Sequence, residues 1–124
     1  MAENKQYITQ NQENGAILIA EDVLVSIVTV AVNETEGVSG LNTKLGADIS
    51  DILNKKNRGK GVKITITEED KLLIECNIIV TYGSAVVSVA KAVQDNVTAA
   101  VESMTGITPA EINVNICGIT VEQK

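Results

Sequence analysis

The sequence predicts an α+β fold: a single two-layer domain, β-α-(α)-β-β-α-β, with helices packed on one face of a mixed sheet. Three observations carry this. Val62, Ile64 and Ile66 alternate with Lys63 and Thr65, and Leu72, Ile74, Cys76, Ile78 and Val80 alternate again after the acidic turn Glu68-Glu69-Asp70. Two period-two runs across a short polar turn form an antiparallel hairpin. A later segment repeats Val86, Val89, Ala90, Val93, Val97, Ala100, Val101 and Met104 at helical spacing. Finally, strand and helix signals interleave along 124 residues, the length of one domain.

Residues 1–14, MAENKQYITQNQEN, are polar and read as a flexible N-terminal tail. Gly15 opens the domain, which runs to residue 121 and leaves 122–124 as its end. Ala16-Ile17-Leu18-Ile19-Ala20 is unbroken apolar sequence, the pattern of a strand covered on both sides. Glu21 and Asp22 then suit the positive end of a helix dipole. Val23, Leu24, Ile27, Val28 and Ala31 continue at helical spacing, and Gly37 is the stop.

Leu41, Leu45, Ile49, Ile52 and Leu53 predict a second, shorter helix near 45–56. The hairpin follows, and Tyr82-Gly83 closes it. Ser84 is a good N-cap for the long helix. Gly106 and Pro109 mark that helix's end. Ile112, Val114 and Ile116 begin a last strand that reaches toward Val121. A strand, helix, strand path of this kind forms a crossover between parallel strands. A ferredoxin-like order would place the first apolar strand centrally in the sheet; the alternative leaves it at an edge.

Composition bounds the chemistry. The chain has no His, Trp or Phe, and two Tyr. Histidine triads, histidine-ligated zinc and imidazole acid–base catalysis are therefore excluded. Ten Lys and Arg against sixteen Asp and Glu leave a net charge of −6, which argues against a protein built to coat nucleic acid. No run reaches the ~20 apolar residues of a membrane span, and the polar N-terminal stretch lacks a signal peptide's apolar centre. The expected location is the cytoplasm, with Cys76 and Cys117 as reduced thiols. No catalytic residue, cofactor site or metal-ligand set is evident.

Two surfaces stand out as candidate sites. Five of the ten cations, Lys55, Lys56, Arg58, Lys60 and Lys63, fall within nine residues that contain no acid. Such a basic window on an acidic body can dock an acidic partner or a phosphate. No aromatic residue interleaves it, so bases have no stacking platform. The second surface is a sheet face. If Leu72, Ile74, Cys76 and Ile78 face the helices, then Leu73, Ile79, Cys117, Ile119 and Val121 point the other way. A half-apolar outer face of this kind is a candidate self-association surface.

These segments resemble the alkaline shock protein family, the envelope stress response proteins of Gram-positive bacteria. The resemblance runs through Gly15-Ala16-Ile17-Leu18-Ile19, Glu36-Gly37-Val38 and Arg58-Gly59-Lys60-Gly61-Val62. It continues through Tyr82-Gly83, Val93-Gln94, Val97, Val101-Glu102 and Met104-Thr105-Gly106. It ends in Ile112-Asn113-Val114-Asn115-Ile116 and Gly118-Ile119. The resemblance implies a non-enzymatic cytoplasmic protein of alkaline or cell-envelope stress that forms homo-oligomers. It further implies a membrane-anchoring partner protein, or a metabolic enzyme under regulation, acetyl-CoA carboxylase in one relative, with a basic region involved. The competing function is a small nucleic-acid-binding module using Lys55 to Lys63.

Overall fold

A computed structural model describes residues 6–41 and 61–121. The elements run β1 (Tyr7–Gln12), β2 (Gly15–Ala20), α1 (Glu21–Asn33), β3 (Val38–Leu41), β4 (Val62–Ile66), β5 (Leu72–Thr81), α2 (Val86–Thr105) and β6 (Glu111–Thr120). The second helix expected near 45–56 lies outside the described residues.

β5 is the centre of the main sheet. Residues 73–81 pair in parallel with β6 on one edge. The other edge is shared: β4 pairs antiparallel with residues 72–76, and β3 with residues 78–80. The α+β class, the hairpin and the parallel crossover through α2 agree with the sequence. β3 is an addition to the predicted order. Its four residues, Val-Ser-Gly-Leu, are too short and mixed for periodicity to register, and they gain strand character by pairing with Ile78–Val80.

The alternation in β4 and β5 does what period two requires. Val62, Ile64, Ile66, Leu72, Ile74, Cys76, Ile78 and Val80 are buried on the helix side. Val89, Val93, Val97 and Val101 recur every four residues along α2 and are buried against them. Leu24, Val25, Ile27, Val28, Ala31 and Val32 supply the α1 side of the same core. The last member of the predicted α2 stripe, Met104, is instead 70% exposed. The N-cap of α2 is Ala85, in extended conformation, and no side chain caps it. Ser84 sits one residue earlier, inside the turn closed by its own N–H to the Thr81 carbonyl.

The N-terminus departs most from expectation. Residues 7–12 are a strand, and β1 and β2 form a separate two-stranded antiparallel sheet. The connection is Glu13-Asn14, and Gly15 after it has φ of +142°. β2 is therefore neither central in the main sheet nor at its edge. Nor is it covered on both sides: Ile17 is 53% and Leu18 61% exposed. Ile8 is buried in the core and Ile19 packs partly against it, so the hairpin is docked by one face only. Gln10 strengthens this docking by donating to the Thr105 carbonyl at the end of α2.

Candidate interaction surfaces

The open face of the main sheet is built by the residues between the core positions. On β5 these are Leu73, Glu75, Asn77, Ile79 and Thr81, all half-buried. Register sets Leu73 beside Glu111, Glu75 beside Asn113, and Asn77 beside Asn115. On the other edge Lys63 stands beside Glu75, and Thr65 beside Leu73.

Polar groups link this face into a ladder. The Asn115 side-chain amide donates to Glu75 Oε2 and to Asn77 Oδ1, each at 2.8 Å. Asn113 Nδ2 donates to Glu111 Oε1 at 3.3 Å. A shallow depression lies at one end, lined by Lys63, Thr65, Leu73, Glu75, Glu111 and Asn113. This surface can offer amide and carboxylate groups to a partner's backbone or side chains.

The expected self-association face does not form one continuous patch. Leu73 and Ile79 do share the open face, but Glu75 and Asn77 separate them. Beyond Ile79 the parity breaks. Ile78 pairs with Ile116 and Ile79 with Gly118, so Cys117 is the extra residue of a β-bulge. The bulge flips the residues that follow. Ile119 pairs with Val80 and lies on the helix side, although 53% exposed. This corrects the expectation that Ile119 points outward with Ile79. Val121 lies just past the strand and is 61% exposed. Cys117 is partly buried, with its thiol 3.8 Å from the Asn115 carbonyl.

Of the basic window, Lys55, Lys56, Arg58 and Lys60 lie outside the described residues. Lys63 is exposed on β4. Its neighbour Gly61 fixes the start of that strand: Asn77 N–H donates to its carbonyl at 2.9 Å. Lys63 therefore stands on the open face, on the outer strand beside Glu75.

Cys76 is fully buried in the core as a small hydrophobe. Burial pushes its thiol from 9.0 up to about 12, and the nearby Glu75 carboxylate adds to the rise. A thiol held neutral in this way is inert as a nucleophile. Among the described residues no three Cys, Asp or Glu side chains gather as metal ligands would. Nor is any helix among them long and apolar enough to cross a membrane.

The surface that sequence reasoning missed is the N-terminal hairpin. Residues 8, 10, 17 and 19 face the body, and residues 7, 9, 16 and 18 face away. The outward side thus carries Tyr7, 50% exposed, and Leu18, with Ile17 uncovered near the tip. The signal is present in Ala16–Ala20, whose unbroken apolar run calls for cover that a second chain can supply as well as the first.

Comparison with known proteins places this scaffold. Residues 9–121 match the model of the alkaline shock protein family, described as having a cell envelope-related function. The chain belongs to the alkaline shock protein family. Its relatives include the uncharacterized protein YqhY of Bacillus subtilis, 32% identical over 110 residues, covering 89% of this chain and 81% of YqhY. The uncharacterized protein Spy1535 of Streptococcus pyogenes is 30% identical over 109 residues, covering 88% and 82%. The uncharacterized protein YloU of Bacillus subtilis is 28% identical, covering 86% and 90%. No solved structure matches. The family match spans β1 from Thr9, so the hairpin is part of the family's unit and not an appendage to it.

Proposed function

We propose that this chain is a non-enzymatic scaffold or regulatory protein of the cell-envelope stress response. It works in the cytoplasm, through self-association and contacts with other proteins. Membership of the alkaline shock protein family supports the envelope setting. The observation that carries the mode of action is the cluster of exposed apolar side chains on the N-terminal hairpin, whose other face is docked on the buried core. Ile17, Leu18 and Tyr7 are each at least half exposed on one small element. Clustered exposed apolar groups mark contact surfaces more often than catalytic ones.

The basic window gives a second class of contact, with an acidic segment of a membrane-anchoring partner or of a regulated metabolic enzyme. Its charge contrasts with the acidic remainder of the chain, which favours oriented docking.

Sedimentation velocity across a wide range of protein concentration tests the reading. A mass that rises with concentration is the expected result. A monomer at every concentration up to the solubility limit would count against it. Turnover of a small metabolite, abolished by one surface substitution, would overturn the non-enzymatic assignment.

A further inference from the structure

The open edge of β2 reads the same in both chain directions. Its residues are Ala16-Ile17-Leu18-Ile19-Ala20, a palindrome centred on Leu18. The register of the hairpin decides which backbone groups that edge presents. Glu21 N–H donates to the Gln6 carbonyl, so Gln6 and Glu21 form a hydrogen-bonded pair. Pairs alternate along antiparallel strands. Ile8 with Ile19, Gln10 with Ile17, and Gln12 with Gly15 are then the other bonded pairs. It follows that Ala16, Leu18 and Ala20 turn their N–H and C=O groups away from β1. Among the described residues no strand pairs with that edge.

We infer that β2 pairs antiparallel with β2 of a second copy of this chain, about a two-fold axis at Leu18. The inference rests on the self-association reading above and names the surface that carries it. A two-fold interface is isologous, and the palindrome makes each residue meet its own kind across it. Leu18 meets Leu18, Ala16 meets Ala20, and Ile17 meets Ile19 of the partner copy. The outward-turned groups at 16, 18 and 20 are the ones this register bonds. Ile17 gains the cover that the single chain does not give it. No charged residue lies within the paired segment Gly15–Ala20, so no like charges meet directly in this register. Natural edge strands are commonly blunted by charge or proline. This one carries neither between Gly15 and Ala20.

Two variants of the full chain test this, both in a Cys117→Ser background. In Leu18→Lys, like charges meet at the axis, while the position is exposed in the single chain and tolerates lysine. Dimer affinity measured by sedimentation should fall by about tenfold or more, with an unchanged circular dichroism spectrum. Leu18→Cys brings two thiols together across a bonded pair, whose Cα atoms lie about 5.5 Å apart, within disulfide reach. Under mild oxidation it should form a covalent dimer. A Val87→Cys control, 79% exposed on α2, should not. If the parent associates and Leu18→Lys associates equally well, the β2 edge is not the interface and the self-association reading stands. Equal cross-linking of the Val87→Cys control overturns the edge in the same way. If the parent is monomeric throughout, both ideas fall.

Discussion

Gln10 Nε2 donates a 3.0 Å hydrogen bond to the main-chain carbonyl of Thr105, a residue 95 positions away. That carbonyl belongs to the last turn of α2, where carbonyls lack helical partners. One side chain of the N-terminal hairpin thus satisfies a helix end and fixes the hairpin against the body. Gln10→Ala should cost about 1 kcal/mol, the net worth of a typical hydrogen bond. Hydrogen exchange should show selective loss of protection in β1 and β2. Uniform loss across the whole domain would show instead that the hairpin is not a separable unit.

Gly106 ends α2 in the left-handed region, with φ of +76°, and its N–H bonds to the Glu102 carbonyl. A Cβ there would lie 2.7 Å from Gln10 Nε2. Gly106→Ala should cost about 1–2 kcal/mol for the conformation, by urea denaturation. It should also displace Gln10. In the Gln10→Ala background the penalty should shrink, because the displaced contact is already gone.

Gly37 is more demanding. Its φ is +96°, and a Cβ would sit 2.6 Å from Val89 Cγ2, a buried atom of α2. Thr81 N–H also donates to its carbonyl at 2.9 Å, so the turn into β3 has little room to shift. Gly37→Ala should lower stability by about 2–4 kcal/mol, summing strain and overpacking. Adding Val89→Ala should recover part of the packing component and none of the backbone component.

Cys76 makes stability fall with alkalinity. Its thiol titrates near 9.0 when exposed and is pushed up to about 12 when folded. The unfolded chain therefore releases this proton first as pH rises. The contribution is fully present below pH 9 and is lost progressively between pH 9 and about 12. Replacing the thiol by Cys76→Ala should flatten this part of the stability–pH curve, at the cost of a small cavity. A thiol reagent should modify Cys117 in the native protein and reach Cys76 only on unfolding. Rapid native modification of both would contradict the buried assignment.

Much of the main sheet was legible because its signals are local. The β4–β5 hairpin declares itself through its sustained alternation, and Asp70 turns the chain with φ of +63° while Thr67 Oγ1 accepts from the Glu69 and Lys71 amides. The core stripe of α2 is visible in its four-residue valine spacing. The open face was only half legible. Leu73 and Ile79 were placed correctly by parity, whereas Ile119 was not, because one extra residue at Cys117 reverses every side chain after it. Gly118, an isolated glycine inside the strand, is the one local mark of that bulge, and simple alternation runs straight through it. The hairpin's exposure was hidden for a related reason: an apolar run reports a wish for cover, not which chain provides it.

By itself the sequence determined the α+β class, the inward residues of β4 and β5, the buried valine stripe of α2, and the absence of histidine chemistry. These follow from residue type and period, which act over a few neighbouring positions. Only the tertiary structure decided that residues 7–12 turn back to pair with β2, that β3 and β4 share one edge of β5, and that among the described residues no strand covers the Ala16–Ala20 edge. Those outcomes depend on hydrogen-bond partners supplied by distant segments, and partner choice between strands is a competition across the whole chain.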